Sequence, residues 1–158
     1  DKNTYVEAHD YVAIEAGNYS DIASGKDNAV WKEIAGYGRT RSGMKVFPTT
    51  ETFYDADEAP YMEYKFYVDN TEKYIMQTHI APSNNVDWNN VTMKFAYSID
   101  GGAVTNVDTI TSSYIAGTWR DSTWSNAVRN NIRSIEKSLG HWMKEFIHLE
   151  YMQQTRRL

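Results

Sequence analysis

The chain has 158 residues and no cysteine; 41% of the residues are hydrophobic and 14% are aromatic. This composition excludes a disordered chain, because burial of that much apolar surface offsets the entropy of ordering, and the lack of cysteine excludes disulfides, zinc–thiolate centres and cysteine nucleophiles. The net charge of −5 argues against a nucleic-acid partner, and no apolar run approaches the roughly 20 residues that span a bilayer.

Alternating polar and apolar residues predict β-strands along most of the chain. In chain order the predicted strands cover residues 12–16, 29–34, 44–47, 61–68, 74–80, 91–99 and 103–109. Asp100-Gly101-Gly102 predicts a tight hairpin turn between the last two, because these turns require positive φ angles. Many short strands separated by Gly, Asn, Asp and Ser predict an all-β fold, an antiparallel β-sandwich of the jelly-roll type.

Two stretches, residues 125–138 and 141–152, show weak helical spacing. Within the second, helix propensity favours a helix, whereas the alternation of Ile147, Leu149 and Tyr151 with polar residues is typical of a strand. A sandwich without its closing strand would leave an unpaired edge. We therefore expect a strand over residues 146–152, with residues 155–158 frayed or held by a neighbouring molecule.

Motifs for catalysis are not evident in the sequence. The segment Gly36-Tyr37-Gly38-Arg39 lacks the spacing of a phosphate-binding loop, no serine lies in a Gly-x-Ser-x-Gly motif, and the four histidines stand far apart. Paired carboxylates that meet only in the folded chain remain open as a hydrolase site. The densest acidic cluster, Asp55, Asp57 and Glu58, is more typical of a solvated loop.

Three loop segments combine aromatic and polar side chains. A sugar site needs an aromatic platform for the apolar ring face and fixed polar groups for the hydroxyls. The candidate carbohydrate-binding residues are Asn84, Asn85 and Trp88 in one segment, Trp119 and Trp124 in another, and Tyr37 and Arg39 in the third. Each tryptophan could instead cap the core. Arg39 and Arg41 could bind a uronate carboxylate or pair with acidic residues of the chain itself.

The segments Tyr5–Tyr19 and Trp31–Pro48 resemble the opening of the C-terminal domain of glycoside hydrolase family 115, the xylan α-1,2-glucuronidases. Later segments at 60–64, 81–85, 97–100 and 124–133 keep the family order, so the resemblance covers about residues 4–137. It implies a β-sandwich similar to carbohydrate-binding modules. It implies no catalytic residues, because the catalytic centre of those enzymes belongs to a preceding α/β-barrel domain.

Ile14-Glu15-Ala16 also resembles the Glu-Ala-Glu start of two families of carbohydrate-binding modules, in which both glutamates help to hold a structural calcium. Here Gly17 stands in place of the second glutamate. Calcium favours several oxygen ligands, so the loss of one weakens such a site. The resemblance therefore implies Glu15 as a candidate Ca²⁺ ligand.

The resemblance divides the chain into a sandwich domain, residues 1–137, and a segment 138–158 that departs from the family pattern and is expected to be part of the same domain. The net charge changes at the same point, from acidic before residue 137 to basic after it. The resemblance implies a closing strand of the kind Gly-x-His-Thr-Leu-x-Ile-Tyr, which the sequence after Lys137 does not show. A back-translation of residues 140–158 in a neighbouring frame resembles that strand. A shifted reading frame is thus one hypothesis, and coincidence through codon degeneracy is the other; the coding DNA decides between them.

The leading hypothesis is a non-catalytic carbohydrate-binding module that recognises plant cell-wall polysaccharide, xylan or glucuronoxylan. It would act beside its own catalytic domain in a longer chain and in a secreted, periplasmic or cell-surface bacterial setting, with no nucleic-acid or membrane partner. The alternative is a structural or dimerisation domain of a glucuronidase, with a homodimer and no independent sugar binding. A small free-standing hydrolase is the third hypothesis.

Overall fold

A computed structural model of the chain describes residues 4–51, 53, 55–70, 72–83, 93–109, 122–142 and 145–155. The strands are β1 (Thr4–Val6), β2 (Asp21–Ala23), β3 (Val30–Ala35), β4 (Ser42–Phe47), β5 (Tyr61–Val68), β6 (Glu72–Ile80), β7 (Met93–Ile99), β8 (Thr105–Asp108), β9 (Arg133–Trp142) and β10 (Glu145–Thr155). One helix, α1 (Ser122–Asn130), precedes β9. Within these ranges no helix is long and apolar enough to cross a membrane.

The largest sheet contains six strands in the order β1-β5-β10-β7-β8, with β2 also paired to β5. Its pairs are antiparallel except for β1 with β5. β10 lies between β5 and β7, where Leu149 stands opposite Tyr64 on one side and Ile99 on the other. Because side chains alternate along a strand, this register places Tyr64, Leu149 and Ile99 on one face of the sheet.

Two separate ribbons, β3–β4 and β6–β9, cover that face. Trp31 and Val46 of the first ribbon pack with Met62 and Tyr64, and the indole Nε1 of Trp31 donates a hydrogen bond to the carbonyl oxygen of Pro60 at 2.9 Å. The second ribbon packs through Met76, Ile135 and Leu139 against Phe95, Tyr97 and Val107. Two sheet layers therefore enclose the core, and the prediction of an all-β sandwich of antiparallel sheets is confirmed.

The strand predicted over residues 12–16 is wrong: this segment belongs to no strand. Val12 and Ile14 still pack against the core, as their alternation indicated. The segment is held by side-chain contacts instead of a ladder, because the hydroxyl of Tyr64 donates to the carbonyl oxygen of Ala16 at 2.7 Å. The apolar spacing of this segment therefore did not show whether a partner strand runs alongside.

The helix predicted over residues 125–138 is correct only in its first part. α1 ends at Asn130 because Asn131 adopts a positive φ of 52° and the amide of Ile132 bonds back to the carbonyl of Ala127 at 3.1 Å, a Schellman-type ending. Residues from Arg133 onward pair with β6 as β9, so that Ile135 stands opposite Thr78. Long-range pairing therefore overrides the weak helical spacing of this segment.

The strand expected over residues 146–152 is present, as part of β10. β10 pairs with β5 from Glu145 to Met152 and with β7 from Leu149 to Thr155. The helical alternative for this segment is wrong, since burial between two strands outweighs propensity. Thr155 itself is paired with Met93, so the expected fraying does not begin there, and residues 156–158 lie outside the described part of the chain.

A substitution at Ile147 tests how much the stability of the sandwich depends on β10. Its side chain is fully buried, whereas Ile75 on β6 is 63% exposed. We expect Ile147→Ala to lower the free energy of unfolding by about 2–5 kcal/mol, because it removes buried methylene groups and leaves a cavity. The matched change Ile75→Ala should cost no more than about 0.5 kcal/mol. Urea denaturation followed by tryptophan fluorescence measures both, and equal effects would contradict the central position of β10.

Candidate functional site

A cleft of about 320 Å³ opens where three segments of the chain meet. It is lined by the β3–β4 turn, by the residues that follow β6, and by the C-terminal end of α1. The lining residues are Gly36, Tyr37, Gly38, Ala81, Pro82, Val128 and Asn131. The segment after β6 and the end of α1 both lie at one end of the β6–β9 ribbon. Ile80 pairs with Arg133, and this pairing brings the residues after β6 next to those before β9.

The β3–β4 turn presents Tyr37 to this cleft. Gly36 and Gly38 flank the tyrosine with φ angles of +70° and +98°, which are strained for other residues. The turn is closed by hydrogen bonds from the amide of Gly36 to the carbonyl of Arg41 at 2.9 Å and from the amide of Tyr37 to the carbonyl of Ile34 at 3.3 Å. The backbone therefore fixes the base of Tyr37, while 44% of the residue stays exposed.

The end of α1 forms the opposite wall. The positive φ of Asn131 ends the helix and directs its side chain toward the β3–β4 turn, where its Nδ2 lies 3.5 Å from the carbonyl oxygen of Gly38. That distance makes a weak hydrogen bond, so the amide remains able to bond to another group. Asn131, Pro82 and Val128 were not predicted from the sequence. The pair Asn130-Asn131 at the end of the helical pattern was the available signal, since asparagine tolerates the left-handed region.

The structure describes part of the predicted set of sugar-binding residues. Tyr37 lines the cleft, and Arg39 lies exposed in the same turn. Within the described ranges the guanidinium of Arg39 forms no ion pair, so the predicted alternative of pairing with an acidic residue finds no support there. Trp124 belongs to α1, but its side chain is not described. Asn84, Asn85, Trp88 and Trp119 lie outside the described residues.

Glu15, the predicted calcium ligand, supports the same turn. Its Oε2 accepts a hydrogen bond from the hydroxyl of Thr40 at 2.9 Å. Across the described residues, no three His, Asp or Glu side chains come close enough together to hold a metal ion. A Glu15 site would therefore need further oxygen ligands from backbone carbonyls, hydroxyls or water, and calcium binding by Glu15 stays a prediction.

The sequence was compared with known families and proteins. Residues 4–144 match the family model described as the glycosyl hydrolase family 115 C-terminal domain. The match runs past Lys137 into the segment that the sequence resemblance had left outside the family pattern. None of the curated proteins gives a significant match.

A second polar cluster lies near the start of β6, at the opposite end of that strand from the cleft. The Oε2 atom of Glu7 accepts hydrogen bonds from the amide of Asp69 at 2.6 Å, the amide of Asn70 at 3.2 Å and the hydroxyl of Tyr74 at 3.0 Å. Asn70 also donates from Nδ2 to Asp10 at 3.2 Å. These contacts tie the N-terminal segment to the β5–β6 turn and leave the carboxylate occupied, so the cluster is structural.

The ionisation of this cluster follows from its contacts. Burial alone would raise the pKa of Glu7, but the hydrogen bonds from Asp69, Asn70 and Tyr74 outweigh it and hold the pKa below its ordinary value of 4.5. Burial raises the pKa of Tyr74, and its hydrogen bond to the Glu7 carboxylate raises it further, to about 12. The charged carboxylate and the neutral phenol therefore stabilise each other in the folded chain.

A lowered carboxyl pKa predicts how stability depends on pH. Ionised Glu7 stabilises the folded chain above the ordinary carboxyl pKa of 4.5, and this contribution is lost as the pH falls through the lowered pKa of the folded state. We expect Glu7→Gln to lower the free energy of unfolding near neutral pH and to differ less from the original chain as the pH drops below 4.5. Urea denaturation at a series of pH values measures this difference.

Glu72→Gln is the matched control, because Glu72 is exposed at the start of β6 and makes none of these hydrogen bonds. It should have little effect at neutral pH. A Glu7→Gln effect that stayed constant from neutral to acid pH would show that the contribution of Glu7 does not depend on its charge.

Proposed function

The chain belongs to the family of glycosyl hydrolase family 115 C-terminal domains, and from that premise we propose that it is a non-catalytic carbohydrate-binding module for xylan or glucuronoxylan. The observation that carries the proposal is the cleft, in which Tyr37 stands across from the end of α1. The segment that contains Asn84, Asn85 and Trp88 follows directly on Ala81 and Pro82, which line the same cleft.

The lining has the chemistry that a sugar requires. The ring of Tyr37, with Pro82 and Val128, offers apolar surface for the C–H face of a pyranose, and the side-chain amide of Asn131 offers a donor and an acceptor for hydroxyls. A volume of about 320 Å³ lies at the small end of ligand sites and suits a short stretch of one or two sugar residues. We expect dissociation constants on the order of 10 µM to 1 mM for such an open site.

The positive charges beside the cleft favour a xylan that carries glucuronate branches as the ligand. Arg39 and Arg41 lie in the turn that presents Tyr37, whereas none of the described residues that line the cleft carries a carboxylate. A guanidinium binds a carboxylate through two parallel hydrogen bonds, as a uronate side group would allow. The turn can therefore add recognition of a glucuronate branch to binding of the xylan backbone by the ring.

The domain's place in the family supports an accessory role in an extracellular enzyme that degrades polysaccharide. The proposal expects binding without turnover. Incubation with xylan, glucuronoxylan and aryl glycosides should release no product beyond the blank, and product release would favour the hydrolase hypothesis instead.

Removal of the aromatic platform is the most direct test. We expect Tyr37→Ala to weaken retention on insoluble xylan by at least about tenfold, or about 1.4 kcal/mol, because the sugar loses its stacking surface. Depletion assays with insoluble xylan measure this, and affinity electrophoresis in gels that contain glucuronoxylan provides a second measurement.

Tyr11→Ala is the matched control. Tyr11 is 61% exposed and lies in the turn that Asp10 links to Asn70, at the other end of β6 from the cleft. Its removal should leave retention within about twofold of the original chain, as expected for a surface change away from the site. No retention of the original chain would favour the structural or dimerisation alternative, and equal losses for the two variants would place the site elsewhere.

The role of Arg39 is tested by comparing two ligands. We expect Arg39→Ala to weaken binding to glucuronic acid-substituted xylooligosaccharides by about two- to fivefold at low salt, because an exposed ion pair contributes about 0.2–1 kcal/mol. Binding of unsubstituted xylohexaose should not change. Isothermal titration calorimetry at two salt concentrations measures both ligands, with Lys73→Ala, an exposed cation at the far end of β6, as the control. Equal losses for both ligands would contradict uronate recognition by Arg39.

A further inference from the structure

We propose that Gly43 is a positioning residue for this site, because its bare backbone allows the ring of Tyr37 to lie across β4 and thereby sets where the ring stands in the cleft. The inference rests on the proposed role of Tyr37 as the sugar platform. Gly43 itself does not line the cleft, but we assign to it the task of fixing the ring of Tyr37, the aromatic side chain among the described lining residues.

The ring of Tyr37 occupies the space that any side chain at residue 43 would fill. A methyl group on Gly43 would lie 2.8 Å from Cδ1 of Tyr37 and 3.6 Å from Cε1. The first distance is shorter than carbon atoms tolerate without a shift, so one edge of the ring is in direct contact with the Gly43 backbone. With any larger residue at this position the ring would have to move.

Among the described residues, the ring of Tyr37 is the nearest obstacle to a side chain at this position. Gly43 lies within β4, opposite Ile34 of β3, and its φ is not in the left-handed region. The next group, the carbonyl oxygen of Tyr37, would be at 3.4 Å, an ordinary contact. Alanine is therefore compatible with the backbone of residue 43, and the substitution acts on the Tyr37 ring alone.

The contact with Gly43 adds a constraint on the ring to the constraint on its backbone. The backbone of Tyr37 is fixed by the hydrogen bond from its amide to the carbonyl oxygen of Ile34. With 44% of Tyr37 exposed, the packing against Gly43 limits the rotamers that the ring can adopt. A ring that is already ordered binds a sugar with a smaller loss of entropy than a mobile one.

A double-mutant cycle on the full chain tests this role with xylohexaose as the probe. We expect Gly43→Ala to raise the dissociation constant by at least about fivefold, measured by calorimetry, because it moves the ring without removing it. In the Tyr37→Ala background, the same change should alter the dissociation constant by less than about twofold, since no ring remains to be displaced. If the effects of the two substitutions are not additive, Gly43→Ala acts through the position of the Tyr37 ring and not through a general effect on the fold.

Gly17→Ala is the matched control. Its added methyl group would lie 3.3 Å from the Glu33 carboxylate oxygen, the flexible end of a side chain, and its φ is likewise outside the left-handed region. This variant should bind xylohexaose as the original chain does. An unchanged dissociation constant for Gly43→Ala, or an equal loss in both backgrounds of the cycle, would overturn the proposal.

A second measurement does not depend on the folding of Gly43→Ala. In the NMR spectrum of the original chain, the Hα protons of Gly43 should show a ring-current shift that disappears in Tyr37→Ala. Absence of that shift overturns the proposal even if sugar binding is intact. A chain that shows the shift but binds no xylohexaose overturns the proposed function, and with it any role of Gly43 in binding.

Discussion

The structure depends on the insertion of β10 between β5 and β7. The inserted strand pairs on both edges, with eight residue positions on β5 and seven on β7. Without it, both neighbours would keep rows of unpaired amide and carbonyl groups, which water or another chain would have to satisfy. Ile147 and Leu149 also fill the centre of the face on which the two ribbons rest. The central strand of the sheet therefore comes from Glu145–Thr155, which lies beyond the residues that match the family model.

The main sheet determines where the cleft forms, because it carries two ribbons that form separate sheets. Trp31 anchors the β3–β4 ribbon over Met62 and Tyr64, and Met76 anchors the β6–β9 ribbon over β7 and β8. The turn of the first ribbon and one end of the second meet at the cleft. The long β6 strand separates this end from the Glu7 cluster by about 25 Å at the usual rise per residue. At the Glu7 end the carboxylate is occupied by hydrogen bonds within the chain, whereas the cleft presents the exposed ring of Tyr37 and the amide of Asn131, which makes only a weak hydrogen bond.

The sequence predicted those features that depend on local pattern and missed those that depend on pairing. Alternation identified β5, β6 and β7, but it could not show that residues 12–16 lack a partner strand. The helix extended too far because the left-handed conformation of Asn131 and the pairing of β9 with β6 are set by tertiary structure. Residue chemistry alone indicated Tyr37. The opposing amide and the role of Gly43 follow from which segments meet in space, which no local pattern records.

The proposed sugar binding would place two demands on the cleft, ordered recognition and easy release. Its aromatic ring is ordered by contact with a glycine backbone, so little conformational entropy remains to be lost when a sugar binds. The cleft is nevertheless open and short, which limits the apolar area that one ligand can bury and favours rapid release. Under the proposed function, the domain and a catalytic domain beside it would bind the same polymer, and tethering would raise the effective concentration of the second binding event to about the millimolar range. Weak binding at the cleft would then be sufficient to keep the enzyme on its substrate, whereas tight binding would hold it at one place on the polymer. A preorganised but shallow site satisfies both requirements.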